Sequence, residues 1–289
     1  MNVGVIGLGL IGSSLAQRLM AGGFKVYGFD VSAPRNENLG ALGGITCVDA
    51  AAVAAACDVV VLAVFNTEQV ESLFEGTSGA NFSSKNLVIC TSTCDPDRIE
   101  ALAKRTTAQG ISFLECPLSG NSDQIAKGNG IALVGGDHAA FDTAQPVLNA
   151  LCKQSHYLGP AGSGGRAKLA VNLVGGLNRA VLGEGLAFAE SMGLELTAFL
   201  AVLKSSAAYN RAMDTRGMKM VTRDFTPHAW LNQSLKDFTL MHEVAGRVGQ
   251  ELPLATLYTE LISSCIAHGE GELDNSVVIE ELRRRRKAS

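Results

Sequence analysis

Residues 2–12 read NVGVIGLGLIG, an apolar run that leads into a group of spaced glycines. Asn2–Ile6 is a short apolar run of the kind that forms a buried strand, and apolar residues at helical spacing continue from about residue 11 to residue 21. The glycines of Gly7–Gly12 therefore lie where a strand turns directly into a helix. A Gly-x-Gly-x-x-Gly pattern is a weak signal alone, but this position gives it a mechanical meaning.

In this setting each glycine has a separate task. Gly7 permits the tight turn, Gly9 lets the backbone approach a pyrophosphate, and Gly12 lets the helix pack closely on the strand. The helix N-terminus adds free N–H groups and a positive dipole end, which favour phosphate. The turn thus predicts dinucleotide binding, with cofactor contacts from Gly7, Leu8, Gly9, Leu10, Ile11 and Gly12.

Asp30 ends the next apolar run, Lys25–Phe29, near the position where a carboxylate binds the hydroxyls of the adenosine ribose. A carboxylate there repels a 2′-phosphate, which favours NAD over NADP. Arg35 lies in the following loop, where an arginine could bind that phosphate, so NADP is not excluded. An ordinary glycine turn beside a solvated Asp30 is the alternative interpretation.

Two later strand ends are also predicted to line the cofactor, because ligands bind at the carboxyl ends of parallel strands. The run Val59–Val64 leads into Phe65 and Asn66, and the run Leu87–Cys90 leads into Thr93. The predicted contacts are Val64, Phe65, Asn66 and Thr93. Ordinary polar loop residues are an equally good interpretation of each one taken singly.

The first 160 residues alternate apolar runs with helical patterns, which predicts an α/β fold: a Rossmann-type doubly wound parallel sheet covered on both faces. From about Gly165 to Met192 one long apolar helix follows, and helical segments continue to the C-terminus apart from a short apolar run at Val277–Ile279. We therefore expect a dinucleotide-binding domain over 1–160 and an all-helical substrate and oligomerisation domain over 161–289, joined by that long helix.

Composition excludes several classes of protein. Of 289 residues, 47% are hydrophobic and 18% charged, which is typical of a folded globular chain. The formal charge of −4 argues against a nucleic-acid partner. The basic run Arg283–Lys287 is interpreted as a solvated helix end. The best membrane-span candidate, Leu169–Ala189, contains too many polar residues, so no membrane partner is expected.

The cysteines and histidines do not indicate a metal site. The seven cysteines are scattered and odd in number. Neither they nor the five histidines have the spacing of metal ligands. With no signal peptide pattern at the N-terminus, we expect a reduced, cytoplasmic protein.

Four segments together resemble the β-hydroxyacid dehydrogenases, a family that includes 3-hydroxyisobutyrate dehydrogenase, tartronate semialdehyde reductase and, more distantly, 6-phosphogluconate dehydrogenase. They are VIGLGLIGSSLAQRL at 5–19, ECPLSGNSDQIAKG at 115–128, GSGGRAKLAVNL at 162–173 and LKDFTL at 235–240. The resemblance spans essentially the whole chain, and the third segment is the most specific. It implies an NAD(P)-dependent oxidoreductase acting on a small carboxylate-bearing substrate, and a homodimer or homotetramer.

By this resemblance Lys168 is the catalytic lysine and Asn172 binds substrate. Their i, i+4 spacing also places both on one face of the long helix. A lysine in so apolar a helix is unusual. An ordinary lysine, with a pKa of about 10.4, is a poor base at neutral pH, and burial can lower that value. The alternative is that Lys168 extends to the surface from the helix start.

The resemblance also assigns the substrate carboxylate to Ser119, Gly120 and Asn121. Asn121 stands where the family has a second glycine, which puts the usual substrate in doubt. Lys236 is expected to reach the cofactor and Asp237 to order the site, although a solvated charge pair is the alternative for both.

Together these residues predict hydride transfer between a nicotinamide cofactor and a small 3-hydroxy acid, or reduction of the matching semialdehyde, with Lys168 moving the hydroxyl proton. An imine reductase-like enzyme is one alternative, but such enzymes typically carry Asp or Tyr at the position of Lys168. A non-catalytic dinucleotide-binding protein on the same fold is the other, and its expected signature is loss of that lysine.

Overall fold

The computed structural model describes residues 1–75 and 79–286. Within it the chain forms two compact units, Met1–Leu169 and Ala170–Ser289. The division falls inside the long helix, α8, rather than at its beginning near residue 160. The helix itself covers Ser163–Ser191, close to the predicted range.

The first unit alternates strands and helices. Its strands are β1 Asn2–Ile6, β2 Lys25–Phe29, β3 Ile45–Thr46, β4 Val59–Leu62, β5 Leu87–Cys90, β6 Ser112–Glu115, β7 Leu118–Ser119, β8 Ile131–Gly136 and β9 Gln154–Tyr157. Its helices are α1 Leu10–Ala21, α2 Ala33–Ala41, α3 Ala50–Ala56, α4 Thr67–Phe74, α5 Pro96–Ala108, α6 Ser122–Ala126 and α7 His138–Leu151, followed by the start of α8.

The strands form one sheet in the order β3-β2-β1-β4-β5-β6-β8-β7, with β9 paired to β8. Strands β1 to β6 are parallel, which confirms the predicted Rossmann-type arrangement. Beyond β6 the sheet is mixed, because β8 runs antiparallel to β6 and β7. Strands β6 and β7 run in the same direction and both pair with β8, and the chain reverses between β7 and β8 through residues 120–130, which contain α6.

Alternate residues of the central strands enter two separate cores, one on each face of the sheet. On β4, Val59 and Val61 pack with α1, whereas Val60 and Leu62 pack with α3 and α5. Successive side chains of a strand point to opposite faces, so a strand covered on both sides must be apolar throughout. The continuous valine run of the sequence has this cause.

The second unit is helical. After α8 come α9 Leu196–Ser205, α10 Arg211–Thr215, α11 Gly217–Thr222, α12 Leu231–Arg247, α13 Pro253–Ala267 and α14 Val278–Arg284, with a 3-10 turn at Asn275–Val277 before α14. The short apolar run Val277–Ile279 is therefore helical rather than a strand. Periodicity alone cannot separate the two for a buried run of this length.

The C-terminal arginines are largely paired within the second unit. Arg283 pairs with Glu190 and Arg284 with Glu270, while Arg285 reaches Glu281. These acidic partners neutralise most of the described part of the basic run, whose last residue, Lys287, lies outside the described residues.

Candidate active site

The glycine turn after β1 has the geometry that its sequence predicts. Gly7 has φ of +91°, and a Cβ there would lie 2.5 Å from the carbonyl oxygen of Ala63. A Cβ on Gly12 would collide with the carbonyl oxygen of Gly7, so only glycine lets α1 start this close to the strand. At Gly9 the nearest atom is Arg35 Nη1, 4.0 Å away. The turn thus keeps open space over Gly9, at the start of α1, which fits a bound pyrophosphate.

Asp30 holds this turn in place through hydrogen bonds to the backbone. Its Oδ2 accepts the N–H of Leu8 at 2.7 Å, and its Oδ1 accepts the N–H of Ser32 at 2.9 Å. Arg35 Nη1 lies 3.3 Å from Oδ2, with the carboxylate buried and the guanidinium half exposed. Asp30 is therefore not a solvated surface charge. The bond to Leu8 was not foreseen from the sequence.

The loops after β4 and β5 lie at the same sheet edge as the glycine turn, because β1, β4 and β5 are parallel neighbours. The hydroxyl of Ser92 donates to the carbonyl oxygen of Val64 at 2.7 Å and joins the two loops. Asn66 caps α4, and the Phe65 side chain is half exposed. Thr93 follows Ser92 in the second loop. The structure thus brings Val64, Phe65, Asn66 and Thr93 to the edge that holds Gly7–Gly12 and Asp30.

The loop after β7 contains the predicted substrate cradle. Gly120 has φ of +142°, a conformation that side chains rarely adopt. Asn121 forms a capping box at the start of α6: its Oδ1 accepts the N–H of Gln124 at 2.8 Å, and the Gln124 side chain accepts the N–H of Asn121 at 3.0 Å. The side-chain oxygen and the backbone N–H of Asn121 are both bonded within the protein. In the predicted cradle, Asn121 is therefore the N-cap of α6.

Lys168 does not extend to the surface. It is 7% exposed, and its Nζ donates to the carbonyl oxygen of Leu118 at 2.5 Å. Leu118 directly precedes Ser119, so the amine lies beside the predicted cradle. Lysine side chains are almost never fully buried unless they are paired.

Sequence reasoning missed Glu115, at the end of β6. Its carboxylate is 2% exposed and accepts the N–H of Gly162 at 2.9 Å, just before α8 begins. Burial raises the pKa of Glu115 to about 7. The signal available in the sequence was an acidic residue directly after a buried strand, together with a second glycine cluster ahead of the lysine helix.

In the second unit, Asn172, Lys236 and Asp237 meet in one cluster. Asn172 Nδ2 donates to Asp237 Oδ2 at 2.8 Å, and Lys236 Nζ lies 3.0 Å from Asp237 Oδ1. Asp237 is 7% exposed, so this is a buried network rather than a solvated charge pair. Asn172 lies on α8, one turn beyond Lys168.

Within residues 1–75 and 79–286, no group of three or more His, Cys, Asp or Glu side chains is arranged to hold a metal ion. Over the same ranges, every helix is too short or too polar to cross a membrane.

Two family profiles together match most of the chain. The NAD binding domain of 6-phosphogluconate dehydrogenase matches residues 2–159, and the NAD-binding domain of NADP-dependent 3-hydroxyisobutyrate dehydrogenase matches residues 162–282. The chain belongs to the β-hydroxyacid dehydrogenase family. The first profile ends at residue 159 and the second begins at residue 162, just before α8.

Individual β-hydroxyacid dehydrogenases are similar over nearly their full length. L-threonate dehydrogenase of Cupriavidus necator is 30% identical, covering 96% of this chain and 95% of the relative. The 2-hydroxy-3-oxopropionate reductase of Escherichia coli is 28% identical, covering 98% and 97%. The structure of 3-hydroxyisobutyrate dehydrogenase from Salmonella typhimurium superposes with a TM-score of 0.88 at 27% identity, covering 97% and 99%. The protein is an NAD(P)-dependent hydroxyacid oxidoreductase.

Proposed function

We propose that the protein is an NAD-dependent dehydrogenase of small 3-hydroxy acids, or a reductase of the matching semialdehydes, in which Lys168 is the general acid and base. The observation that carries this proposal is the burial of Lys168 beside Ser119, with its Nζ on the carbonyl oxygen of Leu118. An amine held in this way is oriented and shielded from bulk water. Both properties suit a group that exchanges one proton with a substrate hydroxyl.

The proposed chemistry divides between the cofactor and the chain. When bound, the nicotinamide accepts or supplies the hydride. In the oxidising direction neutral Lys168 Nζ takes the proton of the substrate hydroxyl, and in the reducing direction the ammonium form returns it to the carbonyl oxygen.

The substrate carboxylate is proposed to bind at the loop that contains Ser119 and Gly120. The Ser119 hydroxyl and the backbone N–H groups of a glycine turn are suitable donors to an anion. Asn121 shapes this turn through its cap on α6. By the family resemblance Asn172 is also proposed to bind substrate, because an amide nitrogen carries two hydrogens and only one is needed for the bond to Asp237.

The experiment that tests the function is a spectrophotometric screen for formation of the reduced nicotinamide. The panel contains hydroxyisobutyrate, glycerate, serine, threonate and sulfonated analogues, each with NAD and with NADP. We expect turnover with at least one 3-hydroxy acid. Cofactor binding without turnover across the panel, and without reduction of the corresponding semialdehydes or of cyclic imines, would identify a non-catalytic protein; reduction of imines alone would identify an imine reductase.

We propose NAD as the preferred cofactor because the Asp30 carboxylate is fixed beside the glycine turn by the N–H of Leu8, and a carboxylate near the adenosine ribose would repel a 2′-phosphate. Asp30→Asn removes this charge but keeps an oxygen for the N–H of Leu8. We expect it to raise the ratio of kcat/KM with NADP to that with NAD by about tenfold, equivalent to about 1.4 kcal/mol. Arg35→Ala should move the ratio the other way. A wild-type preference for NADP, or an unchanged ratio in Asp30→Asn, would contradict the assignment.

We further propose that the protein is a homodimer or homotetramer. Val174, Val181 and Phe188 recur every seven residues on α8 and are all more than 60% exposed. Seven residues are close to two helical turns, so the three form one apolar stripe. Sedimentation at micromolar concentration should show an oligomer for the wild type and smaller species for Phe188→Glu. A monomeric wild type would contradict this proposal.

The reducing cytoplasm is the proposed location. All seven cysteines are free thiols, and only Cys47 is more than slightly exposed. Buried free thiols are typical of proteins from reducing compartments.

A further inference from the structure

The carboxylate of Glu115 lies beneath the start of the helix that carries Lys168. Besides the 2.9 Å bond from the N–H of Gly162, it accepts backbone N–H groups of Gly164 and Gly165. Three N–H donors at the N-terminus of a helix, all directed at one carboxylate, form the arrangement that usually binds an external anion. Here the chain itself supplies the anion.

The glycines around Glu115 are required by this contact. A Cβ on Gly165 would collide with Oε1 of Glu115, and one on Gly135 in β8 would lie 2.9 Å from its Oε2. A Cβ on Gly164 would lie 3.2 Å from the same oxygen. The second glycine cluster of the sequence, ahead of the lysine helix, is therefore built to admit a carboxylate of the protein rather than a phosphate of the cofactor.

A second bond joins the same two segments. Glu115 leads through Cys116 and Pro117 to Leu118, whose carbonyl oxygen accepts Lys168 Nζ. The segment 115–119 is thus fixed to the beginning of α8 at two points, one at Glu115 and one at Lys168. Without the bond at Glu115, the start of α8 is free to shift. The distance from the Lys168 amine to Ser119 then changes as well.

We propose that Glu115 is a positioning residue, which sets where Lys168 stands relative to the Ser119–Gly120 loop by anchoring the N-terminus of α8. The inference rests on the proposed role of Lys168 as the group that exchanges the proton. Glu115 itself touches neither cofactor nor substrate in this account, and its effect on turnover passes through the helix.

The ionisation of Glu115 gives this role a signature. Burial raises its pKa to about 7, although the three N–H donors and Arg166 favour the charged form. The titratable groups that face it are Arg166 on α8 and the thiols of Cys90 and Cys116. A hydrogen bond to Cys94 and burial raise the pKa of Cys90, and burial raises that of Cys116, so both thiols are neutral near pH 7. Protonation places a hydrogen on one carboxylate oxygen of Glu115. One acceptor for the backbone N–H groups at the start of α8 is then lost.

The direction of reaction separates Glu115 from Lys168. The probe reaction is reduction of 2-hydroxy-3-oxopropionate. Lys168 must be protonated to donate in this direction, so a loss of turnover that arises from Lys168 appears on raising the pH. Glu115 must be ionised, so its loss comes on lowering the pH through about 7. Glu115→Gln should reduce kcat by about tenfold or more, since small misplacements of a catalytic group are costly, and should abolish the acidic limb. The KM for cofactor should change by less than about twofold, because binding at the glycine turn is not altered.

Stability gives an independent readout. A carboxyl whose pKa is raised by folding stabilises the fold while it is protonated, and this contribution is lost as the pH rises from about 4.5 through about 7. The Tm of the wild type relative to Glu115→Gln should therefore fall over that range. An unchanged difference would show that Glu115 does not titrate there.

Two matched variants complete the kinetic test. Glu100→Gln removes a carboxylate on α5 that lies 3.1 Å from Arg166 near the start of α8, and should leave kcat and its pH profile unchanged. Glu115→Asp keeps the charge and should restore both the acidic limb and part of kcat. Wild-type kcat in Glu115→Gln, or a retained acidic limb, would overturn the proposal, as would a Glu115→Asp variant no better than Glu115→Gln.

Amide hydrogen exchange and a double-mutant cycle separate this proposal from the proposed function. Exchange over residues 162–168 should accelerate in Glu115→Gln, whatever Lys168 does, and unchanged exchange would overturn the anchoring role. In a Lys168→Ala background, Glu115→Gln should lower the residual kcat by less than about twofold, because the two act as one unit. Full additivity would show that Glu115 does not act through Lys168. Wild-type turnover in Lys168→Ala alone would instead refute the proposed function.

Discussion

We expect the replacement of Lys168 with alanine to lower kcat by about 10²-fold or more, because a positioned acid–base group contributes roughly 10²–10⁴ to the rate. The side chain is buried, and its Nζ is held on the carbonyl oxygen of Leu118, beside Ser119. Alanine leaves neither an amine to move the proton nor a bond to the loop. The measurement is steady-state turnover in both directions with the substrate found in the screen, together with the affinity for NAD. That affinity should change little, because Gly7–Gly12 is untouched.

Lys104→Ala is the matched control, since it removes an exposed lysine of the same unit whose partner is Glu100 on the same helix. It should turn over at the wild-type rate. Lys168→Arg keeps a positive charge but exchanges its proton poorly at neutral pH, so it should resemble the alanine variant. Wild-type kcat in Lys168→Ala would show that another group moves the proton.

Replacing Asp274 with alanine should destabilise the second unit by about 3–5 kcal/mol, the usual effect of removing one partner of a buried ion pair. Asp274 is fully buried and lies 3.2 Å from Arg216 Nε. It also accepts the N–H of His228 at 2.9 Å and the hydroxyl of Ser276 at 2.7 Å. Alanine leaves the Arg216 guanidinium buried without its counter-charge. Chemical denaturation of the second unit measures the loss.

Asp224→Ala is the control for Asp274→Ala, because Asp224 pairs with Lys219 at the surface and should contribute less than about 1 kcal/mol. The pH dependence has a definite sign. Burial acts to raise the pKa of Asp274, but Arg216 and the N–H donors hold it below the ordinary value. Its contribution is therefore present at neutral pH and is lost as the pH falls into the acidic range. Equal stability of the two variants at neutral pH would contradict this account.

The hydrogen-bond network around Asp274 also reaches α12, the helix that carries Lys236 and Asp237. Asn275, next to Asp274, accepts Arg216 Nε at 3.0 Å and donates to the hydroxyl of Ser234 at 3.2 Å. Ser234 lies on α12, three residues before Asp237. Partial loss of the network should thus loosen the helix that holds Lys236 and Asp237.

The parts of the fold that could be predicted are those whose local pattern has one physical solution. Strands such as Val59–Leu62 are apolar on both faces because both faces are covered, and the glycines of Gly7–Gly12 fit only a turn between strand and helix. The two-residue strand Ile45–Thr46 could not be predicted, because its pairing is set by β2 rather than by its own sequence. The reversal of β8 likewise depends on its pairing with β6 and β7, which its own sequence does not specify.

Some residues of the candidate site could likewise be predicted from local patterns, and others could not. Lys168 and Asn172 could be found because their spacing on one helix face is local. The role of Asp30 in holding Leu8, and that of Glu115 in holding Gly162, depend on contacts across 22 and 47 residues of chain. The cap at Asn121 is different, since an asparagine with glutamine three residues later is a local signal of a helix start that could have been read from the sequence.

Chemical rescue of Lys168→Ala is the most direct measurement of whether Lys168 moves the hydroxyl proton. Small primary amines of graded basicity are added to the variant with cofactor and substrate, and tetramethylammonium, which carries charge but no proton, is the control for ionic strength. If Lys168 is the group that moves the hydroxyl proton, turnover rises with amine concentration and depends on amine pKa, while tetramethylammonium has no effect. A variant that turns over at the wild-type rate without amine, or that responds equally to tetramethylammonium, contradicts the assignment of Lys168 as general acid and base.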